Sequence, residues 1–360
     1  MKEILILYRK VANPMEHTTN PLDEQEIFCV KDRIPELDTE EFAGPFAKVH
    51  QFNGVALEAS SKLVIGGKTV AENVLMKPNC ACAISQSNKR YLEGFNMYTD
   101  YIEPNPLLFR ALGFSENESK VLVYVKGVDD LPLDAIVTAY NLDGDKTALP
   151  EPLASFALKN GMKIAYEEAV KILADWLVDN GYASNHYEEF MEYEDINDAW
   201  EVASVSAEAK AYAEEMEEEP WEQLEIACLY ECAVTMLEDM ALASVAVYTI
   251  LEKKYAAAGL IAATMQLSWG LDDEADLVLC DEVGTTDNTL IVSRDLYDKN
   301  GTLDSMINAP VLKYFESIGY DITSDDPVPE IPEDVLDEIS DTYMYLAEAI
   351  CDDLAFDIHM

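Results

Sequence analysis

The chain has 360 residues, with 70 acidic against 24 basic side chains and a formal net charge of −46 at pH 7. Hydrophobic residues make up 49% of it, so it can bury a substantial core, and its length predicts two or three domains. A surface this acidic repels phosphate groups, which argues against binding to nucleic acid or to an anionic membrane. We interpret the charge mainly as a solvating surface.

The seven cysteines show no compact disulfide pattern and suit a reducing cytoplasm. Cys80 and Cys82 are two positions apart, and Cys228 and Cys232 are one helical turn apart. Neither pair has a matching Cys or His pair at zinc spacing, so we interpret all four as buried or incidental thiols. No apolar run reaches about 18 residues without a charge, so we expect no membrane-spanning helix. The first residues are typical of a strand rather than of a signal peptide.

Two strands near the N-terminus are each followed by charged residues. Residues 4–8 predict the first strand, and Lys10 lies two positions beyond it. Residues 26–30 predict the second strand, which leads into Asp32 and Arg33.

The middle of the chain alternates between strands and helices. Residues 64–100 predict short strands and loops, and we place no chemistry there. Residues 121–125 and 135–140 predict two further strands, the first of them rich in β-branched residues. Residues 163–180 predict an amphipathic helix, because apolar residues recur at helical spacing up to an Asn-Gly stop signal.

A long helical region follows, acidic at first and then apolar. Residues 186–220 are strongly acidic and predict a charged, solvated helix. Residues 221–258 contain no glycine or proline and carry an apolar face, which predicts one long core helix capped by Gly259. A last helix is predicted to begin near Pro332.

A predicted hairpin organises the rest of the chain. Residues 260–269 and 277–280 predict two strands, and the acidic residues 272–274 supply the turn between them. The second strand leads directly into Asp281 and Glu282. Carboxylates at the end of a strand commonly lie at a ligand cleft.

This hairpin resembles the core motif of the SAICAR synthetase (phosphoribosylaminoimidazole-succinocarboxamide synthase) family. That family typically has Gly-Leu-Ile-Leu-Val-Asp-Phe-Lys-Leu-Glu-Phe-Gly, and residues 259–270 here are Gly-Leu-Ile-Ala-Ala-Thr-Met-Gln-Leu-Ser-Trp-Gly at the same spacing. Residues 149–153, Leu-Pro-Glu-Pro-Leu, resemble a proline motif of the family. The resemblance covers nearly the whole chain, with gaps at about 64–115 and 186–220.

The resemblance implies an α+β fold with two lobes, similar to the ATP-grasp fold, in which helices flank antiparallel sheets. A β-rich N-terminal lobe is expected at residues 1–125. A larger α+β lobe is expected at residues 126–360, with an acidic helical insert at about 186–220. The ligand cleft is expected between the two lobes.

The family uses ATP, through an acyl phosphate, to join aspartate to a carboxylated aminoimidazole ribotide. Such chemistry needs Mg²⁺ held by carboxylates, a lysine beside the transferring phosphoryl group, and cations that bind the anionic substrates. The resemblance thus implies ATP and Mg²⁺ as cofactors if the family site is retained, and it assigns candidate residues to each role. These are Lys10, Lys126 and Asp129 for the nucleotide; Asp32, Arg33, Thr138, Gly144 and Asp145 for the substrate; and Asp281, Glu282 and Asp287 for the metal.

The charged positions of the core motif are substituted in this chain. The family's Asp, Lys and Glu share one strand face, because side chains repeat every two residues along a strand. Thr264, Gln266 and Ser268 occupy those positions, so we expect a polar face from which all charge is gone. Thr138 replaces a cationic group, and Asp145 places a negative charge where an anion would bind.

Three hypotheses about function remain open. The chain is an ATP-dependent carbon–nitrogen ligase whose ligands come from other residues, a catalytically silent paralogue with a binding or regulatory role, or an enzyme for a neutral or cationic substrate. All three predict a small-molecule ligand and a cytoplasmic protein, without nucleic-acid or membrane partners. A homo-oligomer is compatible with each of them.

Overall fold

The computed structural model describes the chain in segments. The described residues are 7–9, 55–59, 61–65, 67–101, 121–126, 128–142, 145–159, 161–184, 190, 193–216, 218–324 and 326–351. Lys10, Asp32, Arg33 and Gly144 lie outside these residues, as does the strand predicted at 26–30. The domain boundary predicted at residue 125 therefore stays a prediction.

Within the described residues, helices and antiparallel strands combine as the sequence predicts for an α+β protein. In chain order the elements are β1 (Leu7–Arg9), β2 (Val55–Ala59), β3 (Leu63–Ile65), β4 (Lys68–Ala71), α1 (Lys77–Glu93), β5 (Val121–Val125), β6 (Asp129–Tyr140), β7 (Ala148–Leu158), β8 (Lys163–Ile164), α2 (Tyr166–Asp179), β9 (Tyr182–Ser184), α3 (Ile196–Ala203), α4 (Ala207–Glu215), α5 (Pro220–Ala257), β10 (Leu260–Leu271), β11 (Leu277–Cys280), β12 (Thr289–Ser293), α6 (Arg294–Asn300), α7 (Ala309–Ile318) and α8 (Glu333–Ile350).

The main sheet has the strand order β11-β10-β6-β7-β8, and β12 also pairs with β10. The strand β10 has β6 along one edge and two successive partners along the other. Its first half pairs with β12, from Leu260 to Met265, and its second half pairs with β11, from Ser268 to Leu271. The segment that joins β11 to β12 therefore leaves the sheet beside the middle of β10.

The long helix α5 packs on this sheet, against β6, β7 and β10. Its observed range, Pro220–Ala257, agrees with the prediction, and Gly259 follows it with a φ of 73°. Glycine suits that position because residues with a side chain rarely adopt a left-handed backbone conformation. Buried side chains of α5 join those of the sheet and of α2 in the main hydrophobic core.

By length and composition alone, α5 is also apolar enough to cross a membrane, with a mean hydropathy of 1.5 over 18 residues. The sequence expectation considered only charge-free runs and therefore missed this helix. The core helix of a protein that spans no membrane can have the same length and composition. Here α5 packs against the sheet, which is the position of a core helix.

Two sequence predictions differ from the structure. Residues 64–100 contain not only the short strands that we predicted but also the 17-residue helix α1. Proline in its first turn is compatible with a helix start, and its buried face includes polar residues, which obscured the apolar periodicity. Within its described residues, the acidic stretch 186–220 contains the short helices α3 and α4 rather than one solvated helix. Ala199 on α3 and Ala209, Tyr212 and Ala213 on α4 are buried, and both helices contact α5.

Candidate functional site

One face of the main sheet carries the substituted positions of the core motif. Thr264, Gln266 and Ser268 are half-buried, whereas the residues between them on β10 are buried. Thr264 lies opposite Thr138 on β6, and Ser268 lies opposite Asp134. The predicted alternation is therefore present, and Thr138 shares the face with the three β10 residues.

This face is charged, contrary to our expectation. The Asp134 side chain is 3% exposed, and the Lys159 ammonium donates to its Oδ1 at 2.8 Å. Gln266 Nε2 donates to Asp134 Oδ2 at 2.7 Å, and Ser268 Oγ donates to Oδ1 at 2.8 Å. Both carboxylate oxygens are thus engaged by protein donors.

Sequence reasoning missed Asp134 and Lys159 for different reasons. Asp134 interrupts an apolar strand, and a carboxylate in that setting needs a partner, so the signal was present. Lys159 comes into range only because β7 continues to Leu158, beyond the proline motif. Burial disfavours the Lys159 ammonium, but its hydrogen bond to Asp134 and the Asp134 charge outweigh this and raise its pKa.

A second part of the site is the segment that joins β11 to β12, residues 281–288, which we call the carboxylate loop. It leaves the sheet next to Gln266, whose backbone N–H donates to Asn288 O at 2.7 Å. Asp281 opens the loop with a φ of 57°, in the left-handed region. Its Oδ2 lies 4.0 Å from Lys159 Nζ, so the loop and the charged sheet face meet at this point.

The three carboxylates predicted as metal ligands fall into two groups. Asp281 forms the first group with Asp130 and Cys280. One potential ligand atom from each of the three residues lies within 4.8 Å of the other two. Glu282 and Asp287 form the second group, in which the Asp287 charge acts on Glu282 and Lys77 Nζ is 2.9 Å from Asp287 Oδ2.

Crowding and burial act on these carboxylates. Burial raises the pKa of Asp130, and the charge of Asp281 raises it further. Burial likewise raises the pKa of Glu282, and the Asp287 charge adds to this effect. The pKa of Asp287 is raised by burial, although Lys77 opposes the shift. Burial is thus the largest cause of each shift, and repulsion from a neighbouring carboxylate adds to it at Asp130 and Glu282.

The donor atoms fit a hard divalent cation. Carboxylate oxygens are the ligands that Mg²⁺ and Ca²⁺ prefer, and Glu282 and Asp287 supply them side by side. The Cys280 thiol is a poor candidate ligand, because burial raises its pKa well above the usual range and metals bind the thiolate.

A buried ion pair lies behind Asp281. Lys89 Nζ is 2.6 Å from Asp100 Oδ1, and both side chains are 1% exposed. Burial raises the pKa of Asp100 to about 6, although Lys89 acts in the opposite direction, and the Asp281 backbone N–H donates to this carboxylate. Lys77 and Lys89 both belong to α1, so missing that helix also hid these two cations.

Two more of the predicted residues border these groups: the Lys126 backbone N–H donates to Asp100 O at 2.8 Å, and the Asp129 charge adds to the raised pKa of Asp130. Lys126 is half-exposed, donates to Thr99 O at 3.1 Å and lies 3.8 Å from Glu93 Oε1. Asp129 accepts a hydrogen bond of 2.7 Å from the Tyr182 hydroxyl.

Asp145 is exposed and bonded within its own turn, where it accepts from the Thr147 hydroxyl at 2.9 Å. Hydrogen bonds from Thr147, and then from Asn141, lower its pKa, so Asp145 is a charged turn residue.

These features define an α+β protein whose main sheet carries a charged face, bordered by a loop of carboxylates at the middle of β10. A sequence profile of SAICAR synthetase matches residues 55–308, which is most of the chain. The chain therefore belongs to the SAICAR synthetase family.

Curated relatives match over a limited length. A phosphoribosylaminoimidazole-succinocarboxamide synthase of Haemophilus influenzae (strain PittGG) is 29% identical over 100 residues, which is 28% of this chain and 34% of the relative. The enzyme of the same name from Desulfatibacillum aliphaticivorans is 28% identical over 95 residues, 26% of this chain and 31% of the relative. The matched segments thus span about a third of these relatives.

Solved structures agree with the fold. SAICAR synthase from Saccharomyces cerevisiae, complexed with SAICAR, superimposes with a TM-score of 0.51 at 14% identity, over 83% of this chain and 89% of that chain. A second SAICAR synthase structure gives a TM-score of 0.51 at 13% identity, over 84% and 90% of the two chains. At this identity the similarity shows the fold alone.

Proposed function

We propose that this protein uses the SAICAR-synthetase fold to bind a divalent cation or a cationic small molecule at the carboxylate loop, and that it does not carry out the ligation for which the family is named. The observation that carries this proposal is the uncompensated negative charge around the loop. Burial raises the pKa of Asp130, Glu282 and Asp287, and the charge of a neighbouring carboxylate adds to the shift at Asp130 and Glu282. A bound cation would offset both effects.

The same charge opposes the anionic substrates of the parent reaction. The ribotide carries a phosphate and a carboxylate, and ATP carries several further negative charges. Like charges brought together in a desolvated site cost several kcal/mol. In the described part of the site, carboxylates outnumber the lysines beside them.

The two lysines beside the loop are already engaged. Lys77 pairs with Asp287, and Lys159 pairs with Asp134. For either lysine to bind a phosphoryl group it would have to leave its carboxylate, and breaking such an ion pair has a cost in free energy. This supports a binding or regulatory role over catalysis of phosphoryl transfer.

A second candidate is an ATP- and Mg²⁺-dependent carbon–nitrogen ligase of the cytoplasm. One observation favours it: Lys159 brings a cation to the face from which the core motif has lost its lysine, within 4.0 Å of Asp281. In that case ATP and Mg²⁺ are the cofactors, and the carboxylates of the loop hold the metal.

Thermal melting separates the two candidates. The purified protein is melted with MnCl₂, MgCl₂, putrescine, or Mg²⁺ with ATP. We expect a cation alone to raise the melting temperature, since a ligand at 100 times its Kd stabilises by about 2.7 kcal/mol. ATP should add nothing to the effect of Mg²⁺. Further stabilisation by ATP, or formation of product from ATP, aspartate and the carboxylated ribotide, would overturn the proposal.

Matched variants locate the effect. Glu282→Gln and Asp287→Asn should abolish stabilisation by the cation, because each removes a charged ligand. Glu274→Gln is the control, since Glu274 is an exposed carboxylate outside the loop. If the control loses the effect as well, the cation acts on the general surface charge and the assignment to the loop is wrong.

A separate variant tests the ligase candidate. If product does form, Lys159→Gln should lower its rate by about 100-fold or more, as loss of a group that stabilises developing charge does. Lys171→Gln, on the exposed surface of α2, should leave the rate unchanged.

A further inference from the structure

The backbone of the carboxylate loop is held by side chains from two helices of the core. Ser85 on α1 accepts a hydrogen bond from the Val283 backbone N–H at 3.1 Å, and its hydroxyl donates to Asp281 O at 3.4 Å. A hydroxyl can serve in both ways at once. A single side chain thus fixes the backbone on both sides of Glu282.

Asn88 lies one turn further along α1 and is fully buried. Its amide nitrogen donates to Val283 O at 3.0 Å and to the Tyr255 hydroxyl at 3.0 Å. Its amide oxygen accepts from Lys254 Nζ at 3.2 Å. Both the nitrogen and the oxygen of the amide are therefore hydrogen-bonded, which fixes the orientation of the amide as well as its position.

Tyr255 reaches the loop from α5. Its buried hydroxyl donates to Gly284 O, the next carbonyl after the one that Asn88 holds. Gly284 has a φ of 71°, and a Cβ there would lie 2.5 Å from both Asn88 Nδ2 and Tyr255 Oη. The glycine lets the loop backbone approach these two side chains closely enough to bond with them.

We propose that Ser85, Asn88 and Tyr255 are positioning residues for cation binding: they hold the loop backbone so that Glu282 and Asp287 face the same bound ion. This inference rests on the proposed function above. None of the three supplies a ligand atom, and each acts through a backbone group of the loop. Residues that orient metal ligands in this way commonly control affinity by 10- to 100-fold.

Two tyrosines on α5 give a matched test. Tyr255 and Tyr248 are both buried, and each donates its hydroxyl to a backbone carbonyl, but the partner of Tyr248 is Ala262 on β10 at 2.6 Å. Tyr255→Phe and Tyr248→Phe therefore remove the same atom at similar burial. Only the first of these changes touches the carboxylate loop.

We expect Tyr255→Phe to weaken Mn²⁺ binding about 10-fold, measured by titration calorimetry, while Tyr248→Phe keeps the wild-type affinity. Ser85→Ala should resemble Tyr255→Phe, and it preserves α1 because alanine favours helix. Equal affinities in all variants, or equal losses in both tyrosine variants, would overturn the inference.

Amide hydrogen exchange, followed by mass spectrometry without any metal, provides the second readout. Peptides that cover residues 281–288 should exchange faster in Tyr255→Phe than in Tyr248→Phe. If wild-type protein binds no cation, the proposed function fails, yet faster exchange would still support positioning of the loop. If exchange in the loop is the same in both variants, the positioning role itself is wrong.

Discussion

Two clusters of carboxylates lie close together in the sequence, and they are held in place by different kinds of hydrogen bonds. The carboxylate loop, residues 281–288, is held by Ser85, Asn88 and Tyr255 from distant helices. The other cluster, residues 272–276, which we call the acidic turn, is held by itself. Asp272 Oδ1 accepts from the backbone N–H groups of Glu274 at 3.0 Å and Asp276 at 2.9 Å.

The difference shows why acidic residues alone do not define a site. Ligand atoms of the acidic turn, from Asp272, Glu274 and Asp276, also lie within 4.8 Å of one another. That turn needs nothing from the rest of the protein, because a carboxylate that bonds to backbone two residues ahead is a common local structure. The loop depends on the core, and its geometry is therefore part of the tertiary fold.

The largest effect should come from filling the space at Gly284. Gly284→Ala should lower the free energy of unfolding by roughly 2–5 kcal/mol, from left-handed backbone strain and overpacking together. Gly301→Ala is the control, because its φ is 68° but nothing lies within 4 Å of the added Cβ. It should cost only the strain, about 1–2 kcal/mol. Urea denaturation measures the free energy of unfolding of both variants. If both lose the same amount, the carboxylate loop can shift to make room for the added Cβ.

The next effect concerns pH and the ion pair behind the loop. The pKa of Asp100 is raised to about 6 from 3.8, so the folded protein binds the proton more tightly than the unfolded chain. Its contribution to stability is therefore greatest below about pH 4 and is lost as pH rises through about 6. The change is at most about 3 kcal/mol, since one pKa unit corresponds to 1.36 kcal/mol.

Asp100→Asn tests this assignment, because asparagine does not titrate. The urea midpoint of the variant should depend less on pH than that of the wild type between pH 4 and 6.5. An unchanged slope would assign the pH dependence to other carboxylates, such as Glu282 and Asp287, whose pKa values are also raised.

The smallest effect is expected in the acidic turn. Asp272→Ala removes the two side-chain hydrogen bonds of the turn but leaves its backbone bonds, such as Ala275 N–H to Asp272 O, and should cost about 1 kcal/mol or less. The metal affinity of the protein should not change. A loss of Mn²⁺ binding in this variant would move the proposed cation site from the loop to the turn.

Much of the architecture was predictable because its signals are local. The core helix at 221–258 and its capping Gly259 follow from composition and from the absence of breakers, and both are confirmed. The β10 alternation follows from the two-residue repeat of a strand. The helix α1 was missed because its buried face includes Lys77, Asn88 and Lys89, which conceal the apolar pattern.

The candidate site was predictable only in part. The sequence identified Asp281, Glu282 and Asp287 but could not show that they separate into two groups. It also predicted a sheet face without charge, because Asp134 comes from β6 and Lys159 from the turn directly after β7. Lys159 and Asp134 are 25 positions apart and meet through the register of β6 and β7.

The sequence by itself determined the long core helix, the family and the acidic character of the hairpin, since the signal for each lies in neighbouring residues. Only the tertiary structure decided which side chains hold the carboxylate loop. Ser85 and Val283, 198 positions apart, bond because α1 packs beside the loop. Side-chain spacing along one element carries no information about such a contact, because the contact exists only when two elements are packed.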